Sequence, residues 1–267
     1  EYREGQGRVL FCQMDVTGRT ENEPVAETLV ANLLEYVGAW KPSPPRTALY
    51  TGEPEGKTHL GAAGFHLTDY AGGELKPDRL LIAGPRSGEV LVAHRKALAE
   101  FVKRRGRILA LGLTPADAEA FLPFRISLAP AEHINAFFEP PEWESPLAGV
   151  GPADVHNRDP RAIPLVAGGA DPIGDGVLAV ASGGNVVFCQ LVPWQFDYRA
   201  NYGLKRTFRR TSFLVTRLLS NLGVPCETPL LHHISTPVRE KEPGRWLQGL
   251  YLDEPEEWDD PYRFFRW

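Results

Sequence analysis

The chain has 267 residues, of which 43% are hydrophobic and 24% charged, so it can bury a sizeable core and is neither disordered nor fibrous. Its formal charge of −5 at pH 7 excludes a general binder of nucleic acid or anionic membranes, and no apolar run is long enough to cross a bilayer. Three cysteines, Cys12, Cys189 and Cys226, are too few and too far apart for a disulfide scaffold or a zinc site, so no metal or cofactor is predicted.

The chain opens with the pattern of one βα unit. Residues 8–14 predict a buried strand, and residues 24–37 predict a helix that Gly38 ends. The apolar positions of this helix repeat every four residues: Val25, Leu29, Leu33 and Val37. A proline-rich connector at residues 41–46 then predicts a boundary between two units.

Strands and helices alternate over the next part of the chain. Strands are predicted at 47–51, 65–68, 79–84 and 107–113, and helices at 57–63, 89–105 and 115–121. Residues 122–176 show no sustained period. This alternation predicts an α/β fold with a doubly wound, mostly parallel sheet.

A β-hairpin and a long helix complete the predicted domain. Residues 176–181 and 185–191 read as two strands joined at Ser182-Gly183-Gly184. The helix that follows has one apolar face from Leu204 to Leu222, several arginines mostly off that face, and Gly223 as its stop.

One short motif occurs twice. Residues 7–13 and 184–190 share G-x-V-x-F-C-Q, and a polar loop and a long amphipathic helix follow each copy. Two copies of one α/β unit explain this better than a chance likeness between buried strands. Only the last βα element of the first copy would then lie in this sequence.

The motifs for nucleophilic or nucleotide chemistry are missing. A nucleophile elbow needs Ser or Cys between small residues at a sharp strand-to-helix turn, whereas the expected turn after strand 107–113 reads Gly112-Leu113-Thr114-Pro115. Neither G-x-G-x-x-G nor G-x-x-x-x-G-K occurs at a strand-helix junction. A nucleotide-dependent enzyme is therefore not expected.

The most polar loop spans residues 149–160. Its Asp154, His156 and Asp159 are of the types that bind metals or act as acid and base, but such loops more often brace their own backbone, and we favour bracing. His133 and the pair His232-His233 are weaker candidates, since adjacent histidines on a strand point in opposite directions.

Aromatic residues concentrate after the second hairpin strand and in the tail. Trp194, Phe196, Tyr198 and Tyr202 could stack on sugar rings or pack against another domain. The tail at residues 232–267 has no period of its own but many large aromatics, so we expect it to wrap along a surface of the parent chain or of another subunit.

With these features, the chain resembles the class I glutamine amidotransferase-like, flavodoxin-like domains in the C-terminal half of large bacterial glycoside hydrolases of the β-galactosidase or family 2 type. The resemblance rests on the two F-C-Q strands and on four further segments: 15–20, 154–159, 192–197 and 251–267. The repeat predicts residues 1–40 as the last βα unit of a preceding similar domain, and the proline-rich segment 41–46 is predicted as a linker. Residues 47–231 would form the amidotransferase-like domain, and 232–267 an extended tail.

The chain departs from that family where the family does chemistry. True amidotransferases carry a Cys at the elbow and His-Pro-Glu near the last strand, whereas this chain has Gly112-Leu113 and Val192-Pro193-Trp194. The resemblance therefore implies a non-catalytic scaffold or assembly module, with glycosidic cleavage in a separate barrel.

Two alternatives stay open beside the scaffold reading. One is a carbohydrate-binding module that uses the loop 192–202, and the other is a free-standing hydrolase that uses Asp154, His156 and Asp159. The expected partners are the remaining domains of the parent chain, identical subunits and a glycan. The location would be periplasmic or secreted if the parent degrades polysaccharide.

Overall fold

A computed structural model describes residues 2–4, 7–41, 44–142 and 144–226. The strands are β1 (Tyr2–Glu4), β2 (Gly7–Val9), β3 (Thr47–Thr51), β4 (Leu67–Asp69), β5 (Arg79–Ala83), β6 (Arg107–Leu111), β7 (Ser127–His133), β8 (Arg161–Gly168), β9 (Asp171–Ile173), β10 (Leu178–Ala181) and β11 (Val186–Cys189). The helices are α1 (Pro24–Gly38), α2 (Pro54–Ala62), α3 (Gly88–Leu91), α4 (Arg95–Lys103), α5 (Pro115–Phe121) and α6 (Lys205–Asn221). In these ranges no helix is both long and apolar enough to span a membrane.

Seven strands form the central sheet in the order β4-β3-β5-β6-β11-β10-β9. The first five in that order are parallel, and β10 and β9 join them antiparallel. Numbered along the chain, the parallel strands have the order 2-1-3-4-5 of flavodoxin-like folds. The predicted α/β, doubly wound and mostly parallel fold is confirmed.

The sheet is buried on both faces, which explains the unbroken apolar runs of its central strands. Alternate residues of β5 enter different cores: Leu80 and Ile82 one core, Leu81 and Ala83 the other. Leu60 of α2 and the apolar face of α6 cover the first core, and α3, α4 and α5 cover the second.

The prediction of one helix over residues 89–105 is wrong. The chain instead forms α3, a 3-10 turn at Val92–His94, and α4. The turn places the His94 ring 5.5 Å from the ring of Tyr70 and directly over Gly72, where a Cβ would lie 2.5 Å from the imidazole. This packing interrupts the helix, which the apolar periodicity alone would continue to residue 105.

Residues 122–176 contain more structure than their sequence period indicates. Strands β7 and β8 form a separate antiparallel pair, a 3-10 turn spans Pro152–Val155, and β9 extends the main sheet. Pro130 of β7 lies opposite Pro164 of β8. Because proline is depleted in strands and donates no ladder hydrogen bond, it obscured both strands in the sequence.

The prediction of a buried strand over residues 8–14 is also wrong. Only Gly7–Val9 is strand, and its partner is β1 in a two-stranded antiparallel sheet. Beyond it, Phe11 is 61% exposed and Met14 is 65% exposed. Within the described ranges no further strand pairs with this two-stranded sheet. The predicted tail, residues 232–267, lies outside the described residues, and the boundaries of the predicted domains stay a prediction.

Candidate functional site at the carboxyl edge

The sheet has its topological switch point between β3 and β5, since α2 and α3, which follow these strands, lie on opposite faces. Ligands of open α/β sheets bind in the crevice outside such strand ends. Here the loops that follow β3 and β5 are hydrogen-bonded to each other. The Glu53 N–H donates to the Pro85 carbonyl at 3.0 Å, and the Gly84 N–H donates to the Thr51 carbonyl at 2.8 Å.

Gly52 permits this contact between the two loops. It has φ 142°, and a Cβ on it would lie 2.9 Å from the Gly84 Cα. A larger residue would therefore push the loops apart. The two glycines thus let the loops after β3 and β5 approach each other closely.

The turn from β5 into α3 has the backbone of a nucleophile elbow. It reads Gly84-Pro85-Arg86-Ser87-Gly88, and Arg86 at its centre has φ 66°, which is rare for a residue other than glycine. In G-x-S-x-G elbows the central position holds the nucleophile on such a strained strand-to-helix turn. Gly88 allows close packing here, because a Cβ would lie 2.9 Å from the Asp117 Cα.

This turn corrects the sequence prediction that placed the elbow at Gly112-Leu113. Gly112 also has a positive φ, 55°, but the spacing of small residues typical of an elbow occurs around Arg86. The residue at the centre of this turn is Arg86, and a guanidinium does not attack carbonyl carbon. The overlooked signal was G-x-x-x-G directly after the apolar run 80–83.

The side chains at the elbow are held by local partners. The Arg86 guanidinium is exposed and donates from Nε to Glu89 Oε1 at 3.0 Å, a contact that raises the pKa of Arg86, with further help from the Glu53 and Glu55 charges. Ser87 is fully buried, and its Oγ has no hydrogen-bond partner among the described residues. Its hydroxyl therefore lies inside the fold and is not presented at the edge.

Trp194 holds the loop 192–202 against the switch point. Its indole Nε1–H donates to the Glu53 carboxylate, and its ring lies 5.7 Å from the ring of His59 on α2. Burial lowers the pKa of His59 to about 4, so the imidazole is neutral at physiological pH. Tyr50 donates to the Glu53 carbonyl at 2.7 Å, and its pKa is raised by burial and by the charges of Glu53 and Glu55.

The other predicted sugar-stacking residues differ in exposure. Phe196 is 2% exposed, beneath the Arg161 guanidinium at 4.6 Å, so its ring is part of the core. Tyr198 is half-buried with its ring 4.7 Å from that of Phe208, and Tyr202 accepts a hydrogen bond from Lys205 at 3.2 Å. The structure thus brings Trp194 and Tyr198 to opposite sides of a group formed with His59 and Phe208.

The polar loop gives each of its candidate residues a different neighbour. Asp154 accepts from the Gly151 N–H at 2.8 Å, and burial raises the pKa of this carboxyl against the opposing effects of that bond, Arg217 and Arg210. Asp159 lies 3.6 Å from Arg161, and its N–H donates to the Asn157 side chain at 2.9 Å. His156 Nδ1 is buried without a hydrogen-bond partner among the described residues.

These three residues do not form a ligand set. Over the described ranges no group of three or more His, Cys, Asp or Glu side chains could hold a metal ion. The fully buried Asn157 instead joins the loop together, since its Nδ2–H donates to the carbonyls of Asp159 at 2.7 Å and His133 at 3.3 Å. The loop is therefore braced by its own bonds.

His133 is the polar residue that sequence reasoning undervalued. Its fully buried ring lies between Asp175 Oδ2, 2.6 Å from Nδ1, and the Val155 carbonyl oxygen, 2.7 Å from Nε2. A carbonyl only accepts, so Nε2 carries a proton and donates. The imidazole joins β7 to the polar loop and to the segment before β10. No motif in the sequence predicts this contact, because His133 and Asp175 are 42 residues apart.

A cavity of about 500 Å³ lies at the opposite, amino edge of the sheet. Its polar lining includes Arg46, Asp78, Arg107, Glu144, Asn185 and Asn221. No aromatic ring of the described residues lines it, and it is separated from the strand ends where ligands of this fold class bind. It is thus no part of the carboxyl-edge site.

No family model matches the chain, and no curated protein matches it in sequence. Among solved structures, one similar chain is in the structure of PurLQS from Thermotoga maritima. The two are 14% identical, the match covers 67% of this chain and all of that one, and the TM-score is 0.42.

Proposed function

We propose that this chain is a non-catalytic α/β scaffold or assembly module of a multidomain glycoside hydrolase that acts on polysaccharide or oligosaccharide. The proposal has two parts, a non-catalytic scaffold and a glycoside hydrolase parent. The scaffold part rests on the elbow, where Arg86 stands at the position of the nucleophile and is not a nucleophile. The backbone hydrogen bonds between the 51–53 and 84–85 loops add support, because they join the two loops across the switch point.

The glycoside hydrolase half rests on the sequence resemblance alone. Its motifs include both F-C-Q strands and the segments 154–159 and 192–197. Sequencing the gene upstream of Glu1 tests it. A sandwich and a barrel with paired carboxylates would support it, and any other class of preceding domain would overturn it.

An activity assay tests the scaffold half. The chain should hydrolyse neither glutamine nor simple esters above the buffer rate, because no nucleophile and base meet at the elbow. Turnover that falls on replacement of Arg86 or Ser87 would overturn the proposal.

A carbohydrate-binding module is the second candidate, and the partial exposure of Trp194 and Tyr198 favours it. Titration of the whole chain with oligosaccharides separates the two. Micromolar binding that Trp194→Ala abolishes and Phe137→Ala preserves would favour direct glycan binding. Phe137 is the matched control because its ring is 80% exposed elsewhere on the molecule. Absence of binding at millimolar sugar would favour the scaffold.

The hydrolase alternative has the least support. Asp154, His156 and Asp159 have separate neighbours, and the first and last serve local backbone or ion-pair contacts. Replacing all three together should leave any measured hydrolysis unchanged.

A further inference from the structure

Helix α6 carries an unusual distribution of charge. It contains Lys205, Arg206, Arg209, Arg210 and Arg217 and no acidic residue. At about 100° per residue these five cations fall on one side of the helix, opposite the apolar residues that face the sheet. We call this side the basic face of α6.

The basic face is also covered. None of the 17 residues of α6 is exposed, whereas the outer side of α4 shows Arg95, Lys96, Glu100 and Lys103 to solvent. Among the helices of the described ranges α6 alone has no exposed residue. Strand β1 and the 3-10 turn at 152–155 lie against part of it, and the charge of Asp154 in this turn interacts with Arg210 and Arg217.

Position on the helix makes an anionic cover favourable. Lys205, Arg206, Arg209 and Arg210 lie in the first two turns, at the positive end of the helix dipole, where further cations are unfavourable. An acidic segment there gains from both the side chains and the dipole. The chain is net acidic, so it has the charge to supply one.

We infer that residues 253–260 of this same chain bind the basic face of α6. This segment, Asp-Glu-Pro-Glu-Glu-Trp-Asp-Asp, has six acids in eight residues and an aromatic ring that can stack on a guanidinium. It lies outside the described residues, so the inference rests on charge, on the covered helix and on chain length.

The connecting chain is long enough. The described part ends at Cys226, whose Sγ–H donates to the Ala63 carbonyl at 3.2 Å, beside the C-terminal end of α2. The basic residues lie up to one helix length away, about 25 Å for 17 residues. The 26 residues between Cys226 and Asp253 span up to about 85 Å when extended.

Hydrogen-deuterium exchange on the full chain tests the inference. In Arg206→Glu/Arg209→Glu, exchange at the amides of residues 253–260 should become at least tenfold faster than in the wild type. Arg95→Glu/Lys96→Glu on α4 makes the same change of charge at exposed positions and should have no effect. Salt at about 1 M should act like the α6 variant, because it screens the contact.

A second variant guards against misfolding of the first. Replacing the six acids of residues 253–260 by Asn and Gln leaves α6 intact and should produce the same tenfold acceleration. Unchanged exchange in both variants would overturn the inference. Protection that depends on protein concentration, with a dimer in sedimentation, would also overturn it in favour of the tail of a second copy.

Discussion

The two copies of G-x-V-x-F-C-Q have nearly the same sequence and opposite surroundings. In the second copy, residues 184–190, Phe188 and Cys189 are fully buried between β6 and β10, and α6 covers the sheet. In the first copy, residues 7–13, Phe11 and Cys12 are exposed, and α1 shows Val25 and Leu34 to solvent. The motif therefore does not determine burial, which comes from flanking strands.

The first test uses the thiols, where the difference is largest. Burial raises the pKa of Cys189 to about 12 and hides its sulfur, whereas Cys12 is exposed. Since the thiolate is the reactive form, Cys12 should react with iodoacetamide at least a thousandfold faster at pH 8. Mass spectrometry of the labelled peptides measures both rates. Rates within tenfold of each other would show that the two copies share one environment.

The matched phenylalanines give the second test. Phe188→Ala should lower the free energy of unfolding by about 3–5 kcal/mol, because it leaves a cavity between α/β layers. Phe11→Ala should change it by less than about 0.5 kcal/mol, as for other exposed positions. Urea unfolding measures the difference. A large loss from Phe11→Ala would mean that the first copy is buried in solution.

A pH series tests the packing around the second copy, since His59 contacts Phe208 of α6 at 5.5 Å. The folded pKa of about 4 lies below the ordinary 6.5, so the unfolded chain binds the proton first. His59 therefore contributes stability that is present above pH 6.5 and is lost as pH falls toward 4. The loss is up to about 3 kcal/mol.

His59→Gln should flatten that part of the curve, and His66→Gln is the control from the next loop. Stability is measured by urea unfolding between pH 7 and pH 4. If the free energy of unfolding falls with pH equally in the wild type and in His59→Gln, the imidazole is not buried beside Trp194 and Phe208.

The helices give the smallest expected difference. Val215→Ala on α6 should lower the free energy of unfolding by about 2 kcal/mol through lost apolar burial. Val25→Ala on α1, a position that is 80% exposed, should have almost no effect. If a preceding similar domain covers α1, as the predicted boundaries imply, the longer protein should lose stability with Val25→Ala as well.

The pattern of apolar residues was enough to predict the central strands of the sheet. The runs at 79–84 and 107–113 predicted central strands, which the structure has at 79–83 and 107–111, because both faces of the sheet are covered there. It failed at residues 8–14, whose composition is that of a buried strand although their neighbours are not in the described sheet. It also failed at His94, where a distant ring and Gly72 decide the helix break.

The candidate site was predictable only in part. Trp194 lies at the carboxyl edge as a residue after a strand should, but its bond to Glu53 joins residues far apart in sequence. The elbow at Arg86 was hidden because the motif was sought by its usual nucleophile. Backbone strain at that position became visible only through its positive φ.

The Arg86 turn has a practical consequence for protein engineering. The φ of Arg86, 66°, is already that of the central residue of a nucleophile elbow, so the backbone of such a turn is in place. Arg86→Cys would place a thiol at this exposed turn between β5 and α3. An artificial enzyme would also need space for a reactant. The redesign would begin by separating the two loops that meet at Gly52 and Gly84.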